Sequence, residues 1–163
     1  MVVWRRVVTR SVVTAGVVLL AAGCGGTPRI ATGSLATAKT RVIALVNATG
    51  RSVGSHIDFV PVHSADELPC NKKLLAFSIG DTGAHQAEVP IEVKVTVGDG
   101  AALLPGIEQF WRSRGYAIDR SGLSDRSYPK VRARVGADYL LVATGYVGLP
   151  RLNLYGVSAC VKP

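Results

Sequence analysis

The sequence predicts an α+β domain: two helices packed on one face of a mostly antiparallel sheet, two-layer, with one disulfide. Two stretches space their apolar residues at three- and four-residue steps, and each is followed by stretches that alternate apolar with polar residues. The last three alternating stretches are joined by short glycine-containing turns, the pattern of an antiparallel meander. Two cysteines, Cys70 and Cys160, lie inside this region.

The chain opens with Arg5, Arg6 and Arg10, followed by the 13 uncharged residues Ser11 to Gly23. That is the length of a signal-peptide apolar region and short of the roughly 20 residues a membrane-spanning helix needs. The stretch ends Leu20-Ala21-Ala22-Gly23-Cys24, which looks like a lipobox, with Ala21 where Leu is commonest. Small residues let a peptidase reach the backbone, and the Cys24 thiol is the nucleophile that accepts a diacylglyceryl group. Residues 1–23 are therefore read as a lipoprotein signal peptide, 24–33 as a lipidated tether rich in Gly, Pro and Thr, and 34–163 as a single domain. Two or three acyl chains hold a protein stably where one holds it marginally. The expected location is the extracytoplasmic face of the cell membrane.

Within the domain, Ser34 is placed to cap a helix of about 16 residues whose apolar face is Leu35, Ala38, Val42, Leu45, Val46 and Thr49, ended by Gly50 and Gly54. Ile57 to Val62 reads as a strand interrupted by Pro61. Ser64 to Asn71 reads as a polar turn carrying Cys70, Leu74 to Ile79 as a strand, and Gly80-Asp81-Thr82-Gly83 as a turn. Val89 to Val97 alternates most cleanly, with five valines and isoleucines on one face and Glu92, Lys94 and Thr96 on the other. Asp99 can cap a second helix that runs to Arg114 and Gly115, with Leu103, Leu104, Ile107, Phe110 and Trp111 as its apolar side and Pro105 near its first turn. Tyr116 to Ser121, Lys130 to Val135, Tyr139 to Tyr146 and Leu152 to Ala159 complete the strands.

The 163 residues carry a formal net charge of +8; the three leader arginines supply three of these, leaving about +5 on the remainder. A mildly basic surface suits an anionic membrane or cell wall. Export argues against nucleic acid. With Cys24 lipidated, Cys70 and Cys160 remain in an oxidising compartment, and a disulfide between them leaves no thiol unpaired; two free buried thiols are the competing reading.

The order of lipobox, helix, Pro69-Cys70-Asn71, valine-alternating strand, Phe110-Trp111-Arg112-Ser113-Arg114-Gly115-Tyr116 and a meander closing in Ser158-Ala159-Cys160-Val161 resembles the small envelope lipoproteins of mycobacteria and related actinobacteria. The resemblance covers most of the region after the leader. It implies a two-layer α+β domain with one disulfide, and it implies no established activity.

No catalytic constellation stands out. His56, His63 and His85 lack metal-ligand spacing, Gly54-Ser55-His56 is a local cluster without a nucleophile elbow, and Gly98-Asp99-Gly100 lacks a phosphate-loop lysine. No metal or cofactor is expected, and the protein is read as a non-enzyme. The strongest functional feature is the basic set Arg112, Arg114, Arg120, Arg126, Lys130, Arg132 and Arg134. Arg132 and Arg134 project from one sheet face; with Arg120 and Lys130 they are the candidate contacts for an anionic partner, either an envelope protein, an anionic lipid or a cell-wall polymer. The competing reading is a solvated face partly neutralised by Asp119, Asp125 and Asp138. The expected role is a tethered, non-enzymatic binding module of the envelope. A carrier of a lipid or other hydrophobic ligand is the alternative, and a small hydrolase the third reading.

Overall fold

A computed structural model describes residues 30–74, 77–119 and 125–162. Its elements run β1 (Ile30–Ala31), α1 (Leu35–Ser52), β2 (Ile57–Asp58), β3 (Asp66–Leu74), β4 (Phe77–Val95), α2 (Leu104–Ser113), β5 (Ala117–Asp119), β6 (Lys130–Val135), β7 (Tyr139–Gly145), β8 (Arg151–Ser158) and β9 (Cys160–Val161). Among the described residues the nine strands form one mixed, mostly antiparallel sheet, in which only β1 and β9 pair in parallel. Strand β4 is its spine. It pairs with β2 and β3, and also with β8 and β9, after which β7, β6 and β5 follow in order.

Register fixes which residues share a face, because directly opposed residues point the same way. Val89, Val93, Leu152, Leu154, Leu141, Ala143, Val131 and Ala133 belong to one face, and all are buried. Helix α1 contributes Ala38, Val42, Leu45 and Val46 to the same core, and α2 contributes Leu104, Ile107 and Trp111. Helix α1 touches β4, β8 and β7; α2 touches β5, β6, β7 and α1. The approach is close at Gly156, where a Cβ would run into the methyls of Val42 and Val46. Trp111 is core, as its helical spacing suggested: its Nε1 donates to Thr49 Oγ1 at 2.9 Å, and that hydroxyl donates to Leu45 O at 3.0 Å.

Ser34 caps α1 as the sequence predicts, whereas α2 has Leu103 at its N-cap with no side-chain hydrogen bond there, so Asp99 is not its cap. Ser34 Oγ accepts from Thr37 N at 3.2 Å. Asp99 Oδ1 accepts from Ala102 N at 2.9 Å, although the turn it caps is 3-10 helix over Ala101–Leu103 before α2 proper begins. Cys70 and Cys160 form the expected disulfide and join β3 to β9.

Several expectations need correction. The strand expected over Leu74 to Ile79 is instead the end of β3, at Leu74, and the start of β4, at Phe77, which pair antiparallel. Gly50 does not end α1, which runs on to Ser52; it is glycine because a Cβ there would collide with the Phe59 ring. The strand expected over Ile57 to Val62 is only Ile57–Asp58, since the chain beyond leaves the sheet and ties to α1 by Asn47 Nδ2 donating to Val62 O (2.9 Å) and Val62 N donating to Asn47 Oδ1 (2.8 Å). The polar Ser64–Asn71 turn is mostly strand β3, on the outer side of β4. Gly80-Asp81-Thr82-Gly83 lies inside the 19-residue β4. Opposite it the register shifts between Pro69 and Asn71, and Gly83 sits at φ +64°. Extra residues on one strand with a left-handed glycine make a β-bulge, which uses the same residue types as a turn. In the segment read as tether, Ile30–Ala31 pair with Cys160–Val161.

Candidate binding face

The strand residues that alternate with the core residues form the other face of the sheet. Register arranges them in rows. Lys130 lies beside Thr144, then Asn153, then Glu92; Arg132 beside Val142, Tyr155 and Pro90; Arg134 beside Leu140, Val157 and Glu88. Each row therefore starts with a cation on β6 and crosses β7 and β8, and two of the three end on a carboxylate of β4. Beyond β4, Asp66 adjoins Glu88, and Asp58 adjoins Lys94.

Leu140, Val142, Tyr155 and Val157, in the middle of the rows, are half-buried, and Pro90 is exposed. Pro90, Glu92, Lys130, Val142, Thr144, Asn153 and Tyr155 line a shallow groove of about 390 Å³. Lys130 also borders a larger groove, about 720 Å³, shared with Leu104, Pro105, Glu108, Gln109 and Arg112. Burial pushes the Tyr155 phenol up to about 12, aided by the Glu88 charge and the hydrogen bond between them. Asn153 Nδ2 donates to the Tyr146 hydroxyl at 3.0 Å. The Arg151 guanidinium stacks 4.9 Å over the Tyr146 ring and pairs with Glu92.

The predicted basic set is divided by the fold. Lys130, Arg132 and Arg134 share the face, with Arg134 3.9 Å from Asp119. Arg112 is on α2, bound to Glu108 at 2.8 Å, and Arg114 stacks 5.3 Å over Phe110. Arg120 and Cys24 lie outside the described residues. Asp125 is occupied locally, its Oδ1 accepting from Ser127 N and Tyr128 N. Sequence reasoning named Glu92 only as part of a strand's polar face and left Tyr155 between core and open face; it did not single out Glu88, Leu140, Val142 or Val157. A signal was present: Tyr139-Leu140-Leu141-Val142-Ala143 is apolar at every position, as in strands covered on both sides.

His56 and His63 are exposed, in a 3-10 turn and in the segment after β2. His85 Nδ1 lies 3.0 Å from Glu67 Oε1, and Lys39 Nζ donates to Glu67 Oε2 at 2.8 Å. The Lys39 hydrogen bond is the main cause that holds the Glu67 carboxyl below its usual range. At the far end of the sheet, the backbone N–H groups of Gly148 and then Ala102 do the same for Asp99. Among the described residues no three His, Cys, Asp or Glu side chains gather as metal ligands, and no helix is long and apolar enough to cross a membrane.

No protein-family model, curated protein or solved structure matches the chain.

Proposed function

We propose that the chain is an exported, lipid-anchored envelope protein of the kind its motifs resemble, held to the membrane through Cys24, and that its domain is a non-enzymatic binding module. In this reading the domain has two layers. Both helices cover the Val89–Leu154–Leu141–Ala133 face, and the opposite face meets a partner bearing negative charge. The observation that carries it is the row pattern: Lys130, Arg132 and Arg134 flank a half-buried strip of Leu140, Val142, Tyr155 and Val157. Apolar surface of this kind contributes roughly 25 cal/mol per Å² when covered, and the flanking cations set orientation and encounter rate.

The carrier reading needs a cavity between helices and sheet. Trp111, Ile107, Leu141, Leu152, Leu154, Val42 and Val46 occupy that space, each under 2% exposed, which favours the surface over an internal ligand.

The test is charge reversal on the mature chain carrying Cys24→Ser, so that no acyl chain contributes. Arg132→Glu with Arg134→Glu should weaken binding to anionic vesicles by roughly 30-fold or more, at about 1 kcal/mol per surface cation, and remove its salt sensitivity. Equal binding by both proteins contradicts the reading.

A further inference from the structure

The charges on the open face are divided by strand. Cations line β6 (Lys130, Arg132, Arg134), and carboxylates line β4 and its outer neighbours (Glu92, Glu88, Asp66, Asp58). Among the described strand residues, the charges outside this pattern are Lys94 on β4, Arg151 on β8 and Asp119 on β5. Between the two charged sides lies the apolar strip on β7 and β8. Such a face is complementary to itself in one orientation.

We propose that the partner is a second copy of this chain, which brings the carboxylates of its β4 side to the β6 cations, stacked open face to open face about a two-fold axis that runs along the strands between β7 and β8. The proposal rests on the reading of the open face as the binding surface. Rotation about that axis exchanges the two sides of the sheet and keeps each row at its own height. Lys130 then faces Glu92 of the second copy, Arg134 faces Glu88, Val142 faces Tyr155 and Leu140 faces Val157. Both charged contacts occur twice, as an isologous interface requires. Two twisted sheets stacked this way meet in the aligned packing of a β-sandwich, about 10 Å apart. An in-plane axis across the strands would instead place β6 over β6 and β4 over β4, like charge on like charge.

Chain entry selects the same axis. Ile30 joins the sheet beside Cys160, at the opposite end of β8 from the 146–150 turn. A two-fold axis along the strands keeps both entry points at one end, so two anchors at Cys24 can enter one bilayer. An axis across the strands would send them to opposite ends.

The four central strands present roughly 19 by 24 Å at ordinary strand spacing and rise, a small interface, so association in solution is weak. Anchoring two copies in one membrane raises their effective concentration.

Sedimentation equilibrium of the Cys24→Ser mature chain should detect a weak dimer whose population rises with concentration, as a small interface allows. Lys130→Glu with Arg134→Glu should raise its dissociation constant at least about tenfold, and so should Glu88→Lys with Glu92→Lys. Mixing these two variants should restore dimers, because every charged contact is again opposite in sign. The mixing result separates lost complementarity from lost folding. A monomer throughout, with vesicle binding that still depends on Arg132 and Arg134, overturns the dimer and leaves the binding face standing. A monomer whose vesicle binding ignores those arginines overturns both. A dimer indifferent to the charge variants, or variants that fail to associate when mixed, places the contact elsewhere and overturns the proposal.

Discussion

Thr49 is the residue on which the two helices meet. Its hydroxyl accepts the buried Trp111 N–H and donates to its own helix at Leu45 O. Thr49→Val keeps the shape and removes the acceptor, stranding a donor in a dry core; a loss of about 1–3 kcal/mol in urea denaturation is expected. Thr49→Ser should retain most of that stability, and equal losses for the two variants would contradict the hydrogen-bond account. Tyr155 offers a second residue-scale test. Its phenol holds its proton up to about 12 against an ordinary value of 10. The folded state binds that proton more tightly than the unfolded chain. The resulting stability is complete below the unfolded value and is lost as pH rises through the folded one. Absorbance titration near the phenolate band should show one tyrosine ionising well after an ordinary one, and Tyr155→Phe should remove that late step. The helix cap at Ser34 and the core role of Trp111 were legible in the sequence because each depends on neighbours three or four positions away, whereas Asp99 holds a 3-10 turn ahead of α2 instead of capping the helix. The Gly50–Phe59 clearance was not, since it depends on a loop folding back across the helix.

At the scale of elements, legibility follows how much of each strand's pairing is local. The alternation of Val89–Val97 announced itself, although the strand ends at Val95 and leaves Val97 exposed, and the β6–β7–β8 meander follows from short turns. Strand β3 was missed because it lies on the outer side of β4 and reads Asp-Glu-Leu-Pro-Cys-Asn-Lys-Lys-Leu; charge and proline are how such edges avoid pairing with other chains, and they are also what a loop looks like. The disulfide fastens this polar strand to the C-terminal strand β9, closing a separation of 90 residues. Replacing both cysteines by serine should cost up to roughly 4–5 kcal/mol on the chain-entropy account, measured as a lower denaturation midpoint. An unchanged midpoint would mean that β3 is held by its pairing with β4 alone. The open face was half legible: Arg132 and Arg134 follow from alternation, whereas the facing carboxylates depend on a β4–β8 register between segments about 60 residues apart.

For the whole molecule, the two faces of the sheet take different tasks in the proposed reading. Residues of one face share a core with α1 and α2, and strand residues of the other face include the β6 cations, an apolar strip and the β4 carboxylates. The chain joins the sheet at the disulfide end, six residues beyond Cys24. If Cys24 is acylated, that end faces the membrane and the 146–150 turn points away from it. Export, the oxidised cysteine pair and the meaning of a basic face all depend on that anchor. Intact-mass spectrometry of the protein extracted from membranes tests it most directly. The account predicts a chain that begins at Cys24, carries a diacylglyceryl group on that sulfur, and loses no further mass on the disulfide's behalf beyond two hydrogens. A chain that retains Met1, with a free thiol at Cys24, would contradict it.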